Sequence, residues 1–187
     1  MASVTHPRAT AIDLARAAGK AELIGGRIVD LMPTGRIPNR IAGRIFRSLD
    51  DYATAKKKGE AYTDNMGFLV QELPSGRESF SPDTSYYEGP FPPDGMRFIS
   101  GPPTLAVEVR SENDYGLAAE EDMTAKRTDY FAAGTTVVWD VDPQAECIHV
   151  YRKDSPDQPT TYHKGQLAEA EPAVPGWQIA VDTIFQK

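Results

Sequence analysis

Two apolar segments joined by a helical segment constrain the fold of this chain more than any other feature. PTLAVEVR, at 103–110, and TTVVWDVD, at 135–142, are nearly continuous apolar runs, typical of strands buried on both faces. Between them, residues 117–133 have helical spacing and are followed by Gly134, a residue favoured just after a helix end. A strand–helix–strand connection places both strands in one sheet, so the sequence predicts an α/β domain with a mixed central sheet flanked by helices.

The rest of the chain predicts one domain preceded by a short helical segment. Residues 1–19 are assigned to the N-terminal helical segment, with an alanine-rich helix at 9–19, and residues 20–187 to the domain. Glu22–Pro33 alternates around Gly25-Gly26, which predicts an N-terminal β-hairpin. The further predictions are a helix from Thr34, as N-cap, to about Lys57 and strands at 60–63, 66–72, 78–87, 146–152, 159–163 and 177–180.

Composition limits the classes of function. The only cysteine, Cys147, excludes an internal disulfide and a cysteine-based zinc cage. No apolar run approaches the roughly 20 residues of a membrane span, and the N-terminus lacks the apolar core of a secretory signal, so we expect a cytoplasmic protein without membrane contact. The net charge of −7 argues against non-specific coating of DNA, so any DNA contact requires a local basic patch.

Two carboxylates stand out by their surroundings. Asp83 lies in SFSPDTSYY, and Glu108 lies near the end of a strongly apolar strand, where an uncompensated charge costs several kcal/mol. Mg²⁺, or Mn²⁺ in its place, would compensate both carboxylates, with the backbone carbonyl of Val109 as a further hard oxygen ligand. Two alternatives remain open: Glu108 pairs with an arginine such as Arg110, or the strand end is exposed.

Lys126 interrupts the inward-facing side of the helix that follows Glu108. Positions 119, 123, 126, 130 and 133 form one helical stripe, and all of them except Lys126 are apolar or aromatic. A lysine there can hold a scissile phosphate or orient an attacking water. Alternatively its stem packs and its head reaches solvent, or it pairs with Asp122 one turn earlier.

A row of arginines marks the predicted helix that begins at Thr34. Arg36, Arg40, Arg44 and Arg47 share one face, opposite an apolar face that contains Ile41 and Ile45. Such a charge run is usually a solvated surface, and the alternative is a ridge that contacts the phosphates of a nucleic acid.

The order of these motifs resembles the Uma-two family of restriction endonucleases over about residues 20–187. The resemblance lies in ELIGGRIVDLMPTG, the Asn-Arg-Ile helix start, SPDTSYY, PTLAVEVRS, a helix with a lysine, and YFAAGTTVVWDVDP. It implies a single-domain PD-(D/E)XK restriction-endonuclease-like fold. Asp83 would be the motif aspartate, Glu108 the motif acid and Lys126 the catalytic lysine on the helix. Glu22 matches a family glutamate that approaches the metal.

Arg110 stands where the simple motif has lysine, and proteins of this family also tend to lack lysine there. The sequence departs from the family pattern at two points: Pro38-Asn39 replaces the common His-Asn pair at the start of the arginine-bearing helix, and SENDYG, at 111–116, replaces an SPS-like segment after the acid strand. We include Arg110 and Asn39, together with the four arginines of that helix, among the candidate nucleic-acid contacts.

Two functional hypotheses follow. The first is a Mg²⁺-dependent endonuclease that hydrolyses DNA phosphodiester bonds, for which a homodimer is plausible because cutting a duplex needs two sites. The second is a catalytically inactive binding or interaction protein on the nuclease fold, with Arg110 as a non-productive cation.

Overall fold

The computed structural model describes residues 7–186 of the chain. The N-terminal helix α1 is confined to Ala11–Leu14, where the Thr10 hydroxyl accepts a hydrogen bond from the backbone N–H of Asp13 and the Asp13 carboxylate accepts one from the N–H of Thr10. The predicted helix at 9–19 is therefore too long. Residues 1–6 of the predicted N-terminal segment lie outside the described residues.

The predicted N-terminal hairpin and the long helix are both present. Strands β1 (Ala21–Ile24) and β2 (Arg27–Asp30) pair antiparallel across Gly25-Gly26, where both glycines adopt positive φ values. Helix α2 spans Arg36–Lys56. Its N-cap is Gly35, without a side-chain cap hydrogen bond, so the prediction of Thr34 as N-cap was wrong by one position.

The remaining elements follow the predicted order, although several strands are shorter. The predicted strands at 66–72 and 78–87 are interrupted, and β5 ends before Ser81-Pro82-Asp83 because a proline cannot donate to a strand ladder. The elements are β3 (Glu60–Thr63), β4 (Phe68–Leu69), β5 (Ser79–Phe80), β6 (Thr84–Tyr87), β7 (Ile99–Ser100), β8 (Leu105–Val109), α3 (Leu117–Ala133), β9 (Val137–Asp142), β10 (Cys147–Arg152), β11 (Ser155–His163), β12 (Leu167–Glu169), β13 (Gln178–Ala180) and α4 (Val181–Ile184).

A six-stranded mixed sheet forms the centre of the molecule. Its strand order is β11-β10-β9-β8-β6-β3, and β8 and β9 are parallel while the other neighbouring pairs are antiparallel. The parallel pair is the one connected by α3, as the apolar segments of the sequence predict. β1–β2, β12–β13 and β5–β4–β7 form three smaller sheets.

The two faces of the central sheet carry separate hydrophobic cores. On one face, Ile45 and Leu49 of α2 pack with Val107 of β8. On the other face, Tyr130 of α3 packs with Ala106 of β8. Because successive side chains of a strand point to opposite faces, α2 and α3 cover opposite faces of the sheet. None of the helices within 7–186 combines the length and the apolar composition that a membrane crossing requires.

Candidate active site

Strand pairing brings Asp83 and Glu108 to the same end of the central sheet. The register of β6 and β8 ends with Thr84 opposite Val107, so Asp83 directly precedes β6 and Glu108 follows Val107 on β8. The backbone N–H of Asp83 donates to the carbonyl of Val107 at 3.1 Å, and the Asp83 carboxylate accepts a hydrogen bond from the N–H of Val109, the residue after Glu108. The negative charge of Asp83 helps to raise the pKa of Glu108. The two carboxylates therefore lie close together at one end of the sheet.

Asp83 is held by a backbone amide and by an ammonium group. Its Oδ2 accepts a hydrogen bond from the N–H of Val109 at 2.9 Å, and its Oδ1 lies 2.8 Å from Nζ of Lys20. Lys20 also lies 2.6 Å from Oδ1 of Asp64. Lys20 directly precedes β1, so the N-terminal hairpin delivers this lysine to the end of the central sheet.

Glu108 is paired with the lysine that the helix pattern singled out. Nζ of Lys126 lies 2.9 Å from Oε1 of Glu108, and the hydroxyl of Tyr130 donates to the same oxygen at 2.6 Å. Lys126 lies one turn before Tyr130 on α3, so both donors leave the same face of the helix. The predicted alternatives, a Glu108–Arg110 pair and a Lys126–Asp122 pair, are wrong because both groups find partners across the site.

Glu22 is a buried carboxylate that lies next to the ammonium of Lys126. Only 2% of Glu22 is exposed. Its Oε1 accepts a hydrogen bond from the N–H of Ser81 at 3.0 Å and lies 3.5 Å from Nζ of Lys126, while its Oε2 pairs with Arg77. Arg77 is in turn anchored by Asp129 at 2.9 Å. Glu22 therefore approaches the site, but its oxygens already hold cations of the chain.

Burial and these contacts shift the pKa values of the buried groups, upward for Glu108 and Lys126 and downward for Glu22. Burial raises the pKa of Glu108, more than the attraction of Lys126 lowers it. Burial alone would lower the pKa of Lys126, but the charges of Glu108 and Glu22 raise it above its ordinary value. The pKa of Glu22 is lowered, because Lys126 and Arg77 outweigh the burial that would raise it. These contacts therefore favour the protonated form of Lys126 and a role as a cation rather than as a general base.

Seven of these side chains line one cavity of about 700 Å³: Lys20, Glu22, Arg77, Asp83, Glu108, Lys126 and Tyr130. Asp83 and Glu108 both line this cavity, and the charges of both raise the pKa of Lys20 as well as that of Lys126. Within residues 7–186, no three or more histidine, cysteine, aspartate or glutamate side chains are arranged as a metal-binding group. Of the carboxylates that line this cavity, Glu22, Asp83, Glu108 and Asp140 each have a lysine or arginine beside them.

Arg110 belongs to a different ion pair. Its Nε and one terminal nitrogen each lie 2.8 Å from an oxygen of Asp140, a bidentate pair, and it also pairs with Glu120. Arg110 is 7% exposed and Asp140 1%. The guanidinium that stands at the motif-lysine position is therefore engaged with β9 and α3, and not with Glu108. Its predicted role as a nucleic-acid contact gains no support from this placement.

Known proteins resemble this chain in sequence and in fold. The family model for Uma2, described as a putative restriction endonuclease, matches residues 10–182. The chain belongs to the Uma2 family. No curated protein matches the sequence. A crystal structure described as a putative nuclease belonging to DUF820 from Anabaena variabilis ATCC 29413 has a TM-score of 0.70 and 18% identity, over 94% of this chain and 97% of that chain. At this identity the likeness shows the fold alone.

The arginines predicted as nucleic-acid contacts lie on the other side of this Uma2 domain. Arg36, Asn39, Arg40 and Arg47 are exposed on α2, whereas Arg44 is half-buried and donates to the backbone carbonyls of Ile184 and Gln186 at the C-terminus. Because α2 and α3 cover opposite faces of the sheet, this stripe does not line the cavity that contains Asp83.

Three residues of the Uma2 site were missed in the sequence. Lys20 and Arg77 are charged residues next to predicted turns or loops, and no local pattern distinguishes them from surface residues. Tyr130 could have been found, because it lies one turn from Lys126 on the same inward-facing stripe. Its ring stacks on Phe80 with centroids 4.1 Å apart, so the hydroxyl that contacts Glu108 is rigidly placed.

Proposed function

We propose that this Uma2 protein is a metal-dependent endonuclease that hydrolyses DNA phosphodiester bonds, with Asp83, Glu108 and Lys126 as its catalytic residues. The observation that carries the proposal is the convergence of Asp83 and Glu108 on one cavity of about 700 Å³, with the ammonium of Lys126 2.9 Å from Glu108. Family membership supports nuclease chemistry, and the choice of a metal and of DNA is our inference from the site.

The side chains present fit a hard divalent cation such as Mg²⁺. Asp83 and Glu108 would hold it, and the backbone carbonyl of Val109 is a further oxygen donor beside them. The connected cluster has more carboxylates than cationic side chains, so it keeps a net negative charge when no metal ion is bound. Its carboxylates are Glu22, Asp64, Asp83, Glu108 and Asp129, and its cationic side chains are Lys20, Arg77 and Lys126. Bound Mg²⁺ supplies an acidified water and polarises the phosphate. Mn²⁺ is expected to substitute.

Three further side chains have roles in the proposed reaction. Lys126 is held protonated by Glu108 and Glu22, so its ammonium can stabilise the negative charge that develops on the phosphate oxygens. Tyr130 fixes the direction of the Glu108 carboxylate. Glu22 remains a predicted metal ligand. Its contacts with Lys126 and Arg77 give more support to a role in positioning Lys126.

DNA is the proposed substrate, with the exposed arginines of α2 as low-affinity phosphate contacts. Arg36, Arg40 and Arg47, with Asn39 beside them, form a local basic patch in a chain of net charge −7. Since this patch lies on the sheet face opposite the cavity, it would contact DNA away from the cleaved bond. We expect its contribution to be non-specific and to weaken with salt.

Plasmid nicking in the presence of Mg²⁺ or Mn²⁺ tests the proposal. Asp83→Asn, Glu108→Gln and Lys126→Met should each reduce cleavage by about 100-fold or more, as the loss of one charge-stabilising group does. Asp157→Asn, at an exposed position of β11, is the matched control and should cleave like the wild type. Cleavage at the wild-type rate in the three site variants would refute the assignment.

One observation favours a second function, that of a binding protein without turnover. Asp83 and Glu108 each have an ammonium partner within the chain, so their charges are already compensated in part. Titration calorimetry separates the two functions: DNA binding without any heat on addition of millimolar Mn²⁺ would support the binding protein. The homodimer and the cytoplasmic location stay predictions, to be tested by gel filtration and by cell fractionation.

A further inference from the structure

Lys20 pairs with the oxygen of Asp83 that does not bond to the backbone. Oδ2 of Asp83 is tied to the backbone N–H of Val109, and Oδ1 is 2.8 Å from Nζ of Lys20. A divalent cation shared by Asp83 and Glu108 would compete with this ammonium for the same oxygen. Neither the sequence motifs nor the proposed roles of Asp83, Glu108 and Lys126 account for Lys20.

We propose that Lys20 is a displaceable placeholder for the cation: it neutralises Asp83 in the metal-free protein and moves toward the substrate phosphate when a divalent cation binds. This inference rests on the proposed function, because it presumes that Asp83 binds a cation.

The surroundings of Lys20 permit such a movement without a change of the backbone. Its carbonyl accepts a hydrogen bond from the N–H of Leu31 at 2.9 Å, which keeps the residue in the hairpin. Its side chain is 17% exposed and lines the cavity. Its second partner, Asp64, is 38% exposed, so the ammonium can leave Asp83 while it stays near a carboxylate and water.

Lys126 and Lys20 differ in the burial of their second partner. Lys126 pairs with Glu108 and with Glu22, whose side chain is 3% exposed, whereas Lys20 pairs with Asp83 and with Asp64, whose side chain is 38% exposed. The second partner of Lys20 is therefore the one that water and a displaced ammonium can reach. An ammonium displaced into the cavity would add positive charge where a phosphate must approach, and a lysine on a flexible stem suits this role.

Amine-selective labelling followed by mass spectrometry tests the displacement directly in the wild-type protein. With saturating Mg²⁺, labelling of Lys20 should rise several-fold. Lys58 is the internal control, because it is 58% exposed, pairs with Glu88 and lies outside the cavity, so its labelling should not change. Unchanged labelling of Lys20 at saturating Mg²⁺ would overturn the inference.

Calorimetry with Mn²⁺ provides a second, independent readout. Lys20→Met should bind Mn²⁺ about tenfold more tightly than the wild type, in the range of effects seen when groups next to a metal ligand are changed. Its plasmid cleavage should nevertheless fall by about 100-fold, because the phosphate loses a cation. Lys58→Met should change neither quantity.

The outcomes distinguish this inference from the proposed function. If the wild type binds Mn²⁺ but Lys20→Met binds it equally or more weakly, the placeholder role is refuted and the nuclease proposal stands. If neither protein binds Mn²⁺, both fail. Tighter binding combined with lower cleavage in Lys20→Met supports both.

Discussion

The free energies of unfolding of Arg110 and Asp140 variants test whether the arginine at the motif-lysine position has a structural role. Both side chains are almost fully buried, at 7% and 1% exposure, and they are joined by two hydrogen bonds of 2.8 Å. Replacing Asp140 by leucine leaves the buried guanidinium with only Glu120 as a partner, and Glu120 is 47% exposed, so we expect a cost of about 3–5 kcal/mol. Such a loss is a large fraction of the roughly 5–15 kcal/mol by which proteins of this kind are stable.

The opposite replacement should cost less, because the cation that Asp140 keeps, Arg127, is 13% exposed, whereas the anion that Arg110 keeps, Glu120, is 47% exposed and more strongly screened by water. Arg127 lies 3.5 Å from Asp140, so after Arg110→Met the carboxylate keeps one partner, and we expect a loss of about 2 kcal/mol, as for a charged hydrogen bond. The double variant removes both charges of the pair and should be less destabilised than Asp140→Leu alone. The coupling free energy between the two positions should therefore exceed about 2 kcal/mol.

Urea unfolding followed by tryptophan fluorescence measures these differences. Trp139, next to Asp140 in β9, is buried with its ring centroid 5.1 Å from that of Trp177, so its emission should change when the core opens. Two results would refute the reasoning: an Asp140→Leu variant within about 1 kcal/mol of the wild type, or a double variant whose loss equals the sum of the single losses. Either would leave Arg110 free for a role in the cavity.

Three further predictions concern single positions. Tyr130→Phe should fold and should weaken Mn²⁺ binding about tenfold in calorimetry, because Glu108 loses the hydroxyl that orients it. The lowered pKa of Glu22 stabilises the fold above pH about 4.5 and this contribution is lost as pH falls through the lowered pKa, so the Tm deficit of Glu22→Gln should be largest near neutrality and should shrink in acid. Gly59→Ala should cost about 2 kcal/mol or more in urea unfolding, because φ is +66° and the new Cβ would meet a tyrosine ring at 2.4 Å, whereas Gly43→Ala in α2 meets no atom within 4 Å and should be neutral or stabilising.

Much of the fold could be predicted because its signals are local. Gly134 ends α3 at the predicted residue, with φ of +118°, and the apolar runs at 103–110 and 135–142 became the parallel strands β8 and β9. The interruption of the inward-facing stripe by Lys126 indicated a buried charged contact, which exists. The boundary errors, at 9–19 and at Thr34, arose where short segments have weak periodicity and the cap depends on backbone geometry.

The amino-acid sequence by itself determined which residues would be costly to bury alone, namely Glu108 in an apolar strand and Lys126 on an apolar stripe. Only the tertiary structure decided how those costs were met, because the partners are distant along the chain: Lys20 reaches Asp83, Glu22 supports Lys126, and Arg110 turns to Asp140. Pairing of charges depends on distances of a few ångströms between elements, and no local pattern records these distances. The contacts that bring Asp83 close to Glu108 likewise exist only once β6 and β8 have paired.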